Sequence, residues 1–329
     1  MKIAVFSCKP YDKRTLSSHA EDTLLSMTYF ESRLSMETIS LVQGFDAVSC
    51  FVNDDINATV IHCLKQQGIT CIALRCAGFN NVDLEAAKIE GIRVFHVPDY
   101  SPTSVAEHAV ALIMTLNRKT HRAYHRVKEG NFALEGLMGF NLEGKNVGCI
   151  GTGRIGTAFC RIMKGFGCHL YCYDVYPNQA LIDLGCEYVP LDDLYAKSDI
   201  ISLHCPLNES THHLINKTTL HKMKDGVMII NTSRGALVHA QEAIDALYTG
   251  KIGYLGLDVY EQENKIFFED MSSHIIQDSV FQLMLTFPNV VVTGHQGYFT
   301  IEALNHIAET TINNLLNSQV ADNQTRRLA

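Results

Sequence analysis

The chain has 329 residues, 47% hydrophobic and 19% charged, with a formal net charge of -8. That length exceeds what one core usually organises, so two domains are expected. The acidic balance argues against a nucleic-acid partner, which needs a dense basic face, and no apolar run is long enough to span a bilayer.

The opening run reads as a strand at Ile3–Phe6 rather than a signal peptide, because it is too short for an h-region and polar residues follow at once. Further strand patterns lie at Ala47–Val52, Cys71–Arg75, Val94–Val97, Val147–Ile150, Leu170–Tyr173, Ile200–His204, Val227–Asn231, Leu255–Val259 and Val290–Thr293. Helical patterns fall between them, at Thr59–Gln67, Leu84–Glu90, Ile155–Phe166 and Gln241–Thr249. Such alternation predicts parallel sheets covered by helices on both faces. The pattern breaks at Pro98–Pro102, after which Ser104–Asn117 reads as one long apolar helix, as at a domain crossover. The basic stretch Arg118–Arg126 reads as a solvated helix face. A second long helix, Ile301–Leu316, would return the chain to the first domain and make that domain discontinuous. The polar tail after Asn317 is expected to fray.

Eleven cysteines are scattered without a Cys-x-x-Cys pair, and Cys71, Cys149 and Cys172 sit inside strand-like runs. Reduced core thiols in a reducing compartment, the cytoplasm, fit this better than disulfides or a zinc site, so no metal is expected.

Val147–Ile150 runs directly into Gly151-Thr152-Gly153-Arg154-Ile155-Gly156 and then into a helix. A G-x-G-x-x-G spacing gains weight when a strand precedes it and a helix follows. Gly151 permits the tight turn, Gly153 lets backbone approach a pyrophosphate, and Gly156 lets helix and strand pack closely. The amides at the helix start, on Arg154 and Ile155, then face the phosphates. The next strand ends at Asp174, where a carboxylate accepts ribose hydroxyls and repels a 2′-phosphate, favouring NAD over NADP. The first strand leads into Ser7-Cys8-Lys9-Pro10, which cannot form such a loop. The expected fold is therefore α/β with two doubly wound parallel-sheet domains. A Rossmann NAD domain (101–296) is inserted into a discontinuous flavodoxin-like substrate domain (1–100 and 297–329).

Ligands of open α/β sheets bind beyond the carboxyl ends of the strands. In the second domain those ends carry Gly151, Asp174, His204-Cys205-Pro206, Thr232-Ser233-Arg234, Asp258 and His295. The planar fork of Arg234 suits bidentate capture of a substrate carboxylate. His295 can deliver a proton, and Glu263 can fix its tautomer and favour its charged form. Together they suit reduction of a 2-keto acid by a nicotinamide cofactor. Spacing alone does not show that the three meet.

The sequence strongly resembles the D-isomer-specific 2-hydroxyacid dehydrogenases. The residues that carry the likeness are Gly151–Gly156, Ser202-Leu203-His204-Cys205-Pro206-Leu207, Met228–Gly235, Asp258-Val259-Tyr260-Glu261 and Thr293-Gly294-His295. The resemblance implies Arg234, Glu263 and His295 as catalytic residues and a cleft that closes on the ligand. It adds Thr211 to the cofactor contacts His204, Cys205, Pro206, Thr232, Ser233 and Asp258, and it implies a homodimer or homotetramer.

Within the family the chain is similar to members that reduce pyruvate to D-lactate. Arg75–Asp83 resembles a substrate-carboxylate loop, with Ala77 and Gly78 offering amides, and Tyr100 holds a tyrosine position. Phe267-Phe268-Glu269-Asp270 resembles an aromatic insertion, and His295 is followed by Gln296-Gly297-Tyr298. Phe51 and Tyr298 depart from the usual aromatic pair and are expected to limit the substrate side chain. A larger 2-keto acid of hydroxyisocaproate or phenyllactate type is the first alternative. A non-catalytic, NAD-sensing corepressor-like protein is the second.

Overall fold

Strand β1 (Lys2–Val5) buries Ile3, Ala4 and Val5 completely. It pairs in parallel with β2 (Ser26–Tyr29) and β3 (Ala47–Cys50), and the sheet continues through β4 (Cys71–Leu74) and β5 (Arg93–Phe95). The order β2-β1-β3-β4-β5 is the flavodoxin-like one, with its switch point between β1 and β3. The computed structural model describes residues 1–263, 266–318 and 327–329. These divide into two units, Met1–Ser101 with Phe299–Ala329, and Pro102–Tyr298.

In the first unit, alternate strand residues face opposite helical layers, as the two-residue period of a strand requires. Ala4, Val48, Ile72 and Leu74 pack with Val60, Ile61 and Leu64 of α2 (Ala58–Gln66) and Ala87 of α3 (Leu84–Glu90). Ile3, Val5, Ala47, Cys71 and Ala73 pack with Leu16 of α1 (Pro10–Ala20) and with Ala308, Ile312 and Leu315 of α12 (Ile301–Leu316). Helices α3 and α12 fall on the residues their apolar periodicity predicts.

The expectation of a fraying tail needs correction at its end. Arg327 bridges Phe95 antiparallel, Leu328 N–H donates to Val94 O (2.7 Å), and Val94 N–H donates to Ala329 O (3.1 Å). An open sheet edge offers unpaired backbone groups, and these residues satisfy them. Residues 319–326 of that tail lie outside the described residues.

The second unit holds seven parallel strands: β6 (Asn146–Ile150), β7 (His169–Tyr173), β8 (Glu187–Tyr188), β9 (Ile200–Leu203), β10 (Val227–Asn231), β11 (Ile252–Leu257) and β12 (Val290–Val292). Their order, β12-β11-β10-β9-β6-β7-β8, is the dinucleotide-binding 3-2-1-4-5-6 order counted from β6, plus one edge strand. The predicted crossover helix is α4 (Pro102–Arg118); its stripe Ala109, Leu112, Ile113 and Leu116 packs with Phe159 and Met163 of α6 (Arg154–Gly165) over one sheet face. Leu194, Leu220, Ala243, Ile244, Leu247 and Met284 cover the other. The basic stretch runs from Arg118, the last residue of α4, into helix α5 (Thr120–Lys128), which buries no residue, as a solvated face should.

All eleven cysteines are unpaired and ten are buried. Cys149, Cys160, Cys172 and Cys186 gather in the core under α6. Among the described residues no helix is long and apolar enough to cross a membrane.

Candidate active site

The phosphate loop leaves β6 at Gly151, whose φ is +93°, a conformation open to glycine. A Cβ there would lie 2.5 Å from the backbone of His204 and Cys205, so the loop at the end of β9 can touch it only because the side chain is absent. At Gly156 a Cβ would stand 2.0 Å from Gly151 O, so helix and strand can pack this closely only with glycine there. Gly153 has nothing within 4 Å of its would-be Cβ and caps α6 with no side-chain hydrogen bond, leaving an open cradle of helix amides for an anion. Arg154 is exposed and Ile155 half-buried beside it.

Asp174 follows β7. Its Oδ2 accepts Thr152 N–H (2.6 Å) and Oγ–H (3.2 Å), and Oδ1 accepts Tyr176 N–H (3.0 Å). The carboxylate therefore shapes the glycine loop and keeps lone pairs that these contacts do not use. An Asp174→Ala variant is expected to shift the kcat/KM ratio of NADH over NADPH by about tenfold or more toward NADPH, the value of one charge-assisted hydrogen bond. Because loosening of Thr152 affects both cofactors, the ratio tests for a ribose contact separately from the loop. An unchanged ratio would leave Asp174 with the loop alone.

His204 hydrogen-bonds Ser202 Oγ through Nε2 (2.9 Å) and packs against Phe159, with ring centroids 4.8 Å apart. Burial pushes its pKa down to about 3, so the ring is neutral near pH 7. Its buried Nδ1 and the buried Thr232 Oγ1 have no protein partner among the described residues. Ser233 Oγ donates to Cys205 O (2.7 Å), joining the ends of β9 and β10. Thr211 Oγ donates to Pro206 O (2.7 Å) and closes the following turn. The glycine cradle, the neutral imidazole and the orphaned hydroxyl together fit a dinucleotide.

The structure brings Glu263 and His295 together across 32 residues: His295 Nδ1 donates to Glu263 Oε1 at 2.8 Å. Glu263 Oε2 accepts Tyr260 N–H at 2.8 Å, so both of its oxygens are held. Among the described residues His295 Nε2 meets no hydrogen-bond partner. His295 has φ +54°, and its N–H donates to Asp258 O (2.7 Å). The Phe268 ring lies 5.7 Å from the imidazole, which gives the aromatic insertion a place.

Arg234 follows β10. One guanidinium nitrogen donates to Ser233 O (2.7 Å), and Asn231 Nδ2 donates to the Arg234 carbonyl (2.8 Å). At Gly235 a Cβ would lie 2.1 Å from the Tyr260 carbonyl carbon, so a glycine brings the Arg234 loop against the turn that carries Glu263.

Asp258, read from the sequence as a cofactor contact, is committed to the protein. Its Oδ1 accepts Thr293 Oγ–H (2.5 Å) and Gln296 N–H (2.9 Å), and Oδ2 accepts Gly297 N–H (2.7 Å). His108 Nε2 lies 3.2 Å from Oδ1 and 3.0 Å from Thr293 Oγ1. Burial raises the carboxyl pKa, but the His108 and Thr293 hydrogen bonds outweigh it, and the net shift is down. This carboxylate braces the loop bearing His295. Sequence reasoning missed His108; the available signal was a polar residue on the apolar stripe of α4.

In the first unit, Arg75 is buried at the end of β4 and donates to Phe6 O (2.8 Å), Ser7 O (3.2 Å) and Ser49 Oγ (3.2 Å), at the switch point. The Phe51 ring lies 5.8 Å from its guanidinium, and buried Asp54 accepts Phe51 N–H at 2.6 Å. Among the described residues the N–H groups of Ala77 and Gly78 form no hydrogen bond. The Tyr100 carbonyl meets His306 Nδ1 at 3.1 Å. Tyr298 is buried in the second unit.

A 3-2-1-4-5-6 sheet with this cradle, and a paired imidazole at its strand ends, defines the class of dinucleotide-dependent oxidoreductases. The chain belongs to the D-isomer-specific 2-hydroxyacid dehydrogenase family, whose NAD-binding-domain model matches residues 110–297. It is 52% identical over 317 residues to a D-lactate dehydrogenase of Escherichia coli (strain K12), covering 96% of each chain. The solved pyruvate reductase of Chlamydomonas reinhardtii superposes with a TM-score of 0.93 at 46% identity, covering 97% of this chain and 96% of that one. A D-lactate dehydrogenase from Aquifex aeolicus, solved with NAD and lactic acid, superposes with a TM-score of 0.86 at 32% identity over 99% and 98% of the two chains. NAD is accordingly the cofactor, and the chemistry is that of a D-2-hydroxyacid dehydrogenase.

Proposed function

We propose that the protein reduces pyruvate to D-lactate, reversibly, with His295 as proton donor, Glu263 as its partner and Arg234 as the carboxylate anchor. The observation that carries this reading is the 2.8 Å His295–Glu263 contact, which occupies Nδ1 and leaves Nε2 to hold the transferable proton. When bound, NADH supplies the hydride that reduces the carbonyl carbon. The phosphate cradle of Gly151, Gly153 and Gly156 with the Arg154 and Ile155 amides would hold the pyrophosphate, and Asp174 the adenosine ribose. His204, Cys205, Pro206, Thr211, Thr232 and Ser233 are assigned to the rest of the cofactor's surroundings.

His295 Nε2 gives its proton to the substrate oxygen as that atom becomes a hydroxyl, and Glu263 keeps the resulting ring oriented. Arg234 fixes the carboxylate with two parallel hydrogen bonds and polarises the carbonyl beside it. Ala77 and Gly78 amides, Phe51, Tyr100 and Tyr298 are assigned to the substrate. The identities of the relatives named above favour pyruvate over larger 2-keto acids. The eleven unpaired thiols support a reducing compartment, the cytoplasm. Assembly as a homodimer or homotetramer is proposed from the family.

The test is NADH oxidation with a panel of 2-keto acids. Pyruvate is expected to exceed phenylpyruvate and 2-ketoisocaproate in kcat/KM by about tenfold or more, the usual discrimination of a pocket against extra carbon. Preference for phenylpyruvate would move the assignment to a larger substrate. No turnover across the panel would leave a non-catalytic NAD sensor.

A further inference from the structure

We propose that His212, His213 and Glu261 form a surface site for a divalent transition-metal ion of the zinc class. One ligand atom from each lies within 4.8 Å of the others. His213 Nε2 and Glu261 Oε1 are 2.7 Å apart, and the His212 and His213 rings have centroids 3.8 Å apart at an interplanar angle of 34°. A third imidazole, His239, has its ring centroid 4.6 Å from that of His213. Its Nδ1 accepts Glu242 N–H (3.4 Å) to cap α10 (Ala240–Tyr248), and its Nε2 lies 3.9 Å from Glu242 Oε1, so it stands beside the cluster rather than in it.

One Zn²⁺ would use the imidazole lone pairs and the Glu261 carboxylate together. Zinc binds imidazole nitrogen and carboxylate oxygen at about 2.0–2.2 Å, which sets tetrahedral ligand atoms about 3.3 Å apart. The His213–Glu261 pair must therefore open only slightly. Mg²⁺ and Ca²⁺ take oxygen donors and do not suit two imidazoles.

The backbone presents these ligands at some cost. His213 has φ +50°, a left-handed conformation that a residue with a Cβ rarely adopts. It is held there by His213 N–H donating to Ala236 O (2.8 Å) and by Asn216 Nδ2 donating to His213 O (2.8 Å). The ligands come from separate segments, so no Cys/His spacing announces the site in the sequence. Ala236 follows Arg234 by two residues, and Glu261 precedes Glu263 by two.

The test titrates Zn²⁺ into tag-free, chelator-dialysed protein by calorimetry, with Mg²⁺ as control. One equivalent is expected to bind wild type, and Mg²⁺ is not expected to compete. His212→Gln and Glu261→Gln, checked for folding by thermal melts, should each weaken binding by more than the roughly 10–100-fold that follows loss of an outer partner. Absence of Zn²⁺ binding by wild type, or variants that bind as tightly, would overturn the site. None of these readouts needs turnover, so the result stands apart from the proposed activity.

Discussion

Replacing His295 by glutamine is expected to lower kcat for pyruvate reduction by about 10²–10⁴-fold, the usual contribution of a positioned general acid. Glutamine keeps a polar side chain near Glu263 and cannot deliver a proton at neutral pH. NADH affinity, read by fluorescence titration, should be nearly unchanged, because the phosphate cradle lies at the end of β6 and the imidazole after β12. Equal losses of NADH binding and turnover would instead make His295 a structural residue.

Arg234→Gln is expected to cut kcat/KM for pyruvate by about 30- to 4,000-fold, since breaking one side of a desolvated, hydrogen-bonded charge pair costs about 2–5 kcal/mol. Arg234→Lys should recover part of this at most, because an ammonium cannot reproduce the two parallel bonds of the guanidinium. The loss should appear in KM as well as kcat, while NADH binding persists. A kcat/KM for Arg234→Gln within tenfold of wild type would remove Arg234 from the substrate.

Much of the fold was legible because both central sheets are buried on two faces, so their strands read as continuous apolar runs. Val227–Asn231 falls on its predicted residues for that reason. The strands that escaped notice are edges. Ser26–Tyr29 alternates exposed and half-buried residues, and Glu187–Tyr188 is two residues long. Helix Pro10–Ala20 buries only Asp12 and Leu16, too little to leave an apolar period.

At the site, the strand-end positions were readable, but the contacts were not. The His295–Glu263 pair depends on how β12 and the turn after β11 lie in the sheet, which no spacing encodes. Asp258 looked like a ligand contact because it sits at a strand end. What the sequence could not show was that four protein donors, from Thr293, Gln296, Gly297 and His108, converge on it.

The left-handed backbone at His295 carries a consequence for how this protein tolerates change. An L-residue with a full side chain costs roughly 1–2 kcal/mol in that conformation, whereas glycine or asparagine adopts it with ease. The backbone and the chemistry therefore prefer different residues at one position. A chain freed from the need for turnover would drift toward the sturdier choice there, so loss of activity and gain of thermal stability are expected to arrive together.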